Sequence, residues 1–168
     1  MMTMTEIFNE ITSNGGLTPS RKVKEIAERV PEKIAFRKKE FGIWHQISYK
    51  DFWNQTQFVG HALKFYGVDV KDKVAIHSEN RPEWIISDIA IQAIQSITVG
   101  LYPTNPSSEV KYLLSHSESK ILFAEDQEQV DKVLEVIEDL PNLLKIVYFE
   151  SRGITKYDNE KLLSWDNF

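Results

Sequence analysis

The sequence predicts an α/β domain: a parallel sheet with helices on both faces, preceded by helices and a β-hairpin. Three observations carry this. Short β-rich runs are centred on Val74, Thr98, Ile121 and Ile146, so they recur at intervals of 24, 23 and 25 residues. Each interval holds one helical pattern, and a helix returns the chain to the same end of a sheet, which demands parallel pairing. The last three runs are apolar on both sides, as strands are when helices cover both faces.

The elements follow in order. Thr3–Ser13 and Arg21–Val30 have helical periodicity and are separated by Gly15-Gly16 and Pro19. Ile7, Phe8 and Ile11 form the apolar side of the first, which packs on the domain or lies on a membrane surface. Ile34–Lys39 and Ile43–Ile47 alternate around Glu40-Phe41-Gly42 and read as a hairpin. Ser48 caps the next helix with Asp51 as its reciprocal partner. Phe52, Thr56, Val59, Leu63 and Tyr66 make one face of that helix, and Gly67 ends it.

From residue 73 the pattern becomes strand–helix–strand. Lys73–His77 is a strand. Asn80 reads as the cap of the next helix, with Pro82 in its first turn, Glu83 at the reciprocal position, and Trp84 opening an apolar face of Ile85, Ile89 and Ala93. Ile97–Leu101 is a strand, and Val110, Leu113 and Leu114 mark a helix. Lys120–Ala124 is a strand. Asp126 caps a helix with Gln129 as box partner and a stripe of Val130, Val133, Leu134, Ile137 and Leu140, stopped by Pro141. Lys145–Phe149 is the fourth strand, and Ser151–Phe168 carries one weak helical stretch with Trp165 and Phe168 finding little to pack on. The chain therefore divides into a helical lead-in (1–32), a hairpin (33–48), an α/β unit (49–150) and a tail (151–168).

Composition bounds the function. Apolar residues are 42% and charged residues 27% of 168, the balance of an ordinary globular domain. There are no cysteines, which excludes disulfides, thiolate metal sites and cysteine nucleophiles and fits a reducing, cytoplasmic setting. The net charge of −5 argues against nucleic acid as a partner. Neither half is extreme: residues 1–84 hold 13 Lys/Arg and 11 Asp/Glu, and residues 85–168 hold 7 and 14. Arg37-Lys38-Lys39 fits an exposed or edge strand, where lysines discourage aggregation. The most apolar window, Trp84–Leu101, contains Asp88, Gln92, Gln95 and Ser96 and is too polar to span a membrane.

Ligands in open parallel sheets sit beyond the carboxyl ends of strands. Those ends are His77-Ser78-Glu79-Asn80, Tyr102-Pro103-Thr104-Asn105, Glu125-Asp126 and Glu150-Ser151. None is glycine-rich, and with 7 Gly in the chain there is no GxGxxG and no GxxxxGK to close backbone N–H groups on phosphate. GxSxG and HExxH are absent too. His45, His61, His77 and His116 have no ligand partner at helical spacing. His77 reads as a hydrogen-bonded residue rather than a base, Asp126 as a cap rather than a phosphorylated aspartate, and Trp84 as core rather than a ligand platform.

DKVAIHSENRPEWIISDIAIQAIQSITVGLYPTNPSSEVKYLLSHSESKILFAE (Asp72–Glu125) resembles the amino-terminal region of adenylate-forming enzymes, and of long-chain fatty acid–CoA ligases in particular. Upstream, IWHQISYKDFWNQTQFVGHALKFYGV is similar to that family's strand and following helix. Asn80-Arg81-Pro82-Glu83-Trp84 is similar to its N-x-P-E-W segment, and Leu101-Tyr102-Pro103-Thr104 to its L-Y-P-T turn. The likeness covers about residues 20–150, and its specificity lies in the order and spacing of segments that are individually short.

The resemblance implies a partial domain of an enzyme that joins a fatty acid to coenzyme A. ATP and magnesium first give an acyl-adenylate and pyrophosphate; the coenzyme A thiol then displaces AMP. The family's Ser/Thr/Gly-rich phosphate loop, acidic metal and ribose ligands and catalytic lysine have no counterparts here, so no catalytic, cofactor-binding or metal-binding residue carries over. The chain is expected to be an amino-terminal fragment, inactive alone, cytoplasmic or peripheral at a membrane, and to self-associate through an exposed apolar edge. Tyr102, Pro103, Thr104 and Asn105 are expected to wall the acyl site or meet the missing segment. The alternative is a complete, non-catalytic α/β interaction module.

Overall fold

The structure, a computed structural model, describes residues 18–168. The expected helix over 3–13, its Ile7, Phe8 and Ile11 side and the Gly15-Gly16 break lie outside those residues. Helix α1 (Pro19–Arg29) begins at Thr18, whose hydroxyl accepts from Arg21 N–H. Strands β1 (Ile34–Glu40) and β2 (Ile43–Ser48) pair antiparallel. Their turn is tighter than the three-residue break expected from the sequence. Glu40 pairs with Ile43, leaving Phe41 and Gly42, both at positive φ (47° and 83°), as the two turn residues. Positive φ at both positions gives the turn the twist of the flanking strands.

Helix α2 (Tyr49–Phe65) has the full capping box: Asp51 N–H donates to Ser48 Oγ, and Ser48 N–H donates to Asp51 Oδ2. Phe52, Thr56, Val59 and Leu63 are buried along one face, and Gly67 at φ +86° turns the chain out of the helix. Strand β3 (Lys73–His77) leads to α3 (Pro82–Ala93). Here the structure corrects the sequence. Arg81, not Asn80, is the N-cap, and no side chain caps the end. The Glu83 carboxylate does not turn back to a cap N–H because Arg81 and Lys38 capture it. The buried residues of α3 are Ile86, Ser87, Ile89, Ala90 and Ile91, while Ile85 and Ala93 are exposed. The helix is covered by the sheet and by α2, so it is buried on two sides rather than along one stripe. Trp84 packs against this core, as expected.

Strand β4 (Ile97–Leu101), helix α4 (Ser107–Ser117), strand β5 (Ile121–Ala124), helix α5 (Gln127–Leu134) and strand β6 (Lys145–Tyr148) follow. Asp126 caps α5 by accepting from Glu128 N–H, but Gln129 does not complete a box; its side chain is buried with Oε1 unpaired. The α5 stripe is interrupted after Leu134, and Ile137–Asp139 form a separate 3-10 turn that still buries Leu140.

The tail is the largest departure. Instead of a helical stretch it supplies β7 (Leu162–Ser164), a fifth parallel strand, and a 3-10 turn at Trp165–Asn167. Trp165 packs edge-on against Phe123 (5.9 Å) and Phe149 (5.1 Å), and Phe168 stacks on Tyr66 at 5.5 Å. The two aromatics therefore close the core.

The sheet runs β4-β3-β5-β6-β7, entirely parallel. Val74, Ile76, Ile121, Phe123 and Val147 face α2 and α3. Ala75, Leu122, Ala124 and Ile146 face residues of α4 and α5, among them Val110, Leu114, Val130 and Val133. Alternate residues of each central strand thus enter different cores, which explains why the strand sequences are apolar throughout.

Candidate functional site

From β3 the chain steps to β4 on one side and to β5 on the other, so the strand order reverses between β3 and β5. Beyond the carboxyl ends at such a reversal, two loops diverge to opposite faces and leave a crevice. In this chain the place is filled by its own charges. The Arg81 side chain, 10% exposed, donates to Glu83 (2.8 Å) and Glu150 (2.9 Å), lies 3.8 Å from Glu125, and sits 5.2 Å over the Phe149 ring. Lys38 reaches from β1 to Glu83 at 2.9 Å and to Glu40 at 2.7 Å. Glu125 Oε2 accepts from Glu79 N–H (2.6 Å) and Ser78 Oγ–H (3.2 Å). The network ties the hairpin, the start of α3, and the loops after β3, β5 and β6 into one layer.

Burial pushes the Glu83 carboxyl up, but hydrogen bonds from Arg81 and Lys38 outweigh it and hold it at about 2. Burial likewise opposes the charge on Arg81 and on Lys38, and their carboxylate partners overcome it, raising both. These groups stay ionised near neutrality. They suit holding elements together rather than exchanging protons in a reaction.

A cleft of about 430 Å³ opens beside this network, between the hairpin tip (Glu40, Phe41), the start of α5 (Asp126, Glu128) and the loop after β6 (Glu150, Arg152). Its carboxylates already have partners: Lys38 for Glu40, the Glu128 N–H for Asp126, Lys132 for Glu128 and Arg81 for Glu150. Among the described residues no three His, Asp or Glu side chains converge as metal ligands.

The expected site residues Tyr102, Pro103, Thr104 and Asn105 lie past the end of the edge strand β4. Tyr102 is 79% exposed, Thr104 is exposed, and Pro103 and Asn105 are half-buried. Two elements hold the turn. His77, fully buried at the end of β3, places Nε2 3.1 Å from the Tyr102 carbonyl, and Lys132 of α5 donates to the Pro103 carbonyl at 2.7 Å. The turn closes on itself through Asn105 N–H to the Tyr102 carbonyl (2.9 Å). Burial, and secondarily the Lys132 charge, press the His77 imidazole down to about 4. His77 is thus neutral near pH 7, a fixed support for the turn.

Sequence reading found this turn but missed the Arg81 network. Its members were read as an edge-strand lysine (Lys38), as part of the Asn80–Trp84 segment (Arg81, with Glu83 as a supposed capping partner) and as the strand-end residues Glu125 and Glu150. Glu83 and Glu150 lie 45 and 69 residues along the chain from Lys38 and Arg81 respectively, and no local pattern joins them.

A sequence model of the AMP-binding enzyme family matches residues 23–166. The chain belongs to this family. This member of the AMP-binding enzymes is 26% identical over 160 residues to the long-chain-fatty-acid–CoA ligase ACSBG2 of Xenopus laevis, a match covering 95% of the chain and 21% of the relative. It is 30% identical over 128 residues to the long-chain-fatty-acid–CoA ligase FadD15 of Mycobacterium bovis, covering 76% and 21%. The chain thus spans about a fifth of the length of these relatives. Its fold matches coronafacic acid ligase from Pectobacterium brasiliense with a TM-score of 0.78 at 22% identity, over 90% of this chain and 29% of that one. Acetoacetyl-CoA synthetase from Streptomyces lividans gives 0.77 at 18% identity, over 88% and 24%. Both likenesses bear on fold alone. No described helix is long and apolar enough to cross a membrane.

Proposed function

We propose that this chain is the amino-terminal scaffold of an ATP-dependent long-chain fatty acid–CoA ligase, and that it has no activity alone. The observation that carries the reading is the family match over 23–166 in a chain about a fifth as long as relatives named as such ligases. In the complete protein the fatty acid carboxylate attacks the α-phosphate of ATP and expels pyrophosphate. The coenzyme A thiol then attacks the acyl carbon and AMP leaves. The chemistry requires donors and cations aimed at phosphate oxygens. Arg81 and Lys38 are paired with carboxylates within the chain, so neither is assigned to ATP, magnesium or coenzyme A.

The role assigned to this chain is to hold strand ends in register. Tyr102 to Asn105 form a wall toward the acyl site or toward the rest of the protein. Support for this is the exposed Tyr102 ring on a turn fixed by His77 and Lys132.

The test is pyrophosphate release and acyl thioester formation with palmitate, ATP and coenzyme A. The complete protein is expected to do both and the 168-residue chain neither. Turnover by the chain alone contradicts the scaffold reading, and a complete protein that adenylates no fatty acid contradicts the ligase reading. In the complete protein Tyr102→Ala is expected to shift chain-length preference or stability; no change in either removes the wall assignment.

A further inference from the structure

Strand β4 is paired along its whole length and then released. Lys73–His77 lie in register with Ile97–Leu101. Ile97 N–H donates to the Asp72 carbonyl, so residues 97, 99 and 101 turn their backbone groups to β3. The next N–H in that series would belong to residue 103, which is proline, so the ladder stops. Strand β3 leaves as well: Glu79 N–H donates to Glu125, beyond β5, at 2.6 Å.

Past Leu101 two side chains take over. His77 is fully buried, and its Nε2 lies 3.1 Å from the Tyr102 carbonyl. A carbonyl can only accept, so Nε2 carries the hydrogen, and Nδ1, buried without a partner, is bare. Burial and the Lys132 charge favour that neutral ring. Lys132 donates to the Pro103 carbonyl and to Glu128, each at 2.7 Å. Two consecutive carbonyls are thus anchored to β3 and α5, and the ring of Pro103 fixes the φ between them. That sets the direction in which the Tyr102 side chain, 79% exposed, leaves the backbone.

Resting on the reading of Tyr102–Asn105 as a wall of the acyl site, we propose that His77 and Lys132 are positioning residues for acyl-chain selection. Through the Tyr102 and Pro103 carbonyls they set how far the Tyr102 ring stands into that wall, and so which chain length fits. Displacing a pocket wall by about one methylene changes selectivity about tenfold or more, so a small movement of the turn is readable.

The test compares kcat/KM for laurate and for palmitate in the complete protein. Loss of folded enzyme lowers both values alike and leaves their ratio unmoved, whereas a displaced wall moves it. Tyr102→Ala is expected to change the ratio about tenfold, and His77→Leu and Lys132→Met each about fivefold in the same direction. His77→Gln, whose amide N–H reaches as far as Nε2, is expected to stay within about twofold of the parent. His77→Leu added to Tyr102→Ala is expected to change nothing further, since no ring remains to be placed. A Tyr102→Ala ratio equal to the parent's removes the wall and this role with it. A changed Tyr102→Ala ratio beside unchanged His77→Leu and Lys132→Met ratios overturns the positioning role and leaves the wall standing. So does full additivity in the double variant, or a His77→Gln ratio altered as much as that of His77→Leu. If His77→Leu does not fold, Lys132→Met decides.

Discussion

The five-stranded sheet and the two-stranded hairpin are both β structure, and they are held by different forces. Every residue of β5 is buried, and its faces meet two separate cores. In the hairpin, Ile43, Trp44, His45 and Gln46 are all exposed, and attachment rests on Phe36 and Ile47 against the α2 core plus the Lys38–Glu83 ion pair. A two-stranded ribbon is marginal in water by itself. The difference teaches that strand-forming sequence fixes a local conformation, while stability follows from what covers each face.

That contrast can be broken most strongly at Phe123. It is fully buried and contacts the rings of Phe149, Trp165 and Phe168. Phe123→Ala is expected to cost about 3–5 kcal/mol in chemical denaturation. A loss near 1 kcal/mol would mean the aromatic tail does not close the core.

Removing the cation at the centre of the network should cost less but couple the two regions. Arg81→Met leaves Glu83 and Glu150 without their main partner, and a loss of about 2–4 kcal/mol is expected. Adding Glu83→Gln should recover part of it, since the uncompensated carboxylate is the source of the cost. Strict additivity in that double-mutant cycle would show that the network carries no coupling.

His77 sharpens the comparison through pH. Its folded value of about 4 lies below the ordinary 6.5 of the unfolded chain, so the unfolded state takes up the proton first as pH falls. Its contribution is complete above pH 6.5 and is lost progressively toward pH 4, by roughly 2–3 kcal/mol between pH 7 and 4.5. Urea unfolding of His77→Gln at those two pH values should show a correspondingly smaller change. Equal losses would mean that His77 is protonated as easily in the folded chain.

The smallest effect belongs to the hairpin tip. Phe41 sits at φ +47° and is 95% exposed, so its ring contributes no packing against which the backbone strain could be set. Phe41→Asn, a residue at ease in that conformation, should stabilise the chain by about 0.5–1 kcal/mol. A lower melting temperature would show that the ring has a contact that matters.

What the sequence made legible was local. Ser48 with Asp51, Asp126 at the start of α5 and Gly67 after α2 each act on backbone groups within a few residues, and each is where periodicity placed it. The even spacing of strands made parallel topology readable for the same reason. Misreadings occurred where distant partners decide. Glu83 fits a capping box by position, yet Lys38, 45 residues away, and Arg81 claim its oxygens. Three residues, Leu162–Ser164, are too few to show a period, and they form a strand because β6 offers them an edge. Trp165 and Phe168 looked stranded at the end of the sequence because their partners, Phe123 and Tyr66, lie far up the chain. The turn at Tyr102–Asn105, as a turn, was legible from the strand end at Leu101 and from Pro103 and the following Pro106, and the Arg81 network was not.

The claim beneath these readings is that Arg81, Lys38 and the strand ends beside them are committed to the chain's own structure rather than to nucleotide. Calorimetric titration of magnesium-ATP into the folded 168-residue chain measures this most directly. The account predicts no saturable heat at millimolar nucleotide. Stoichiometric binding that is lost on Arg81→Met would contradict it.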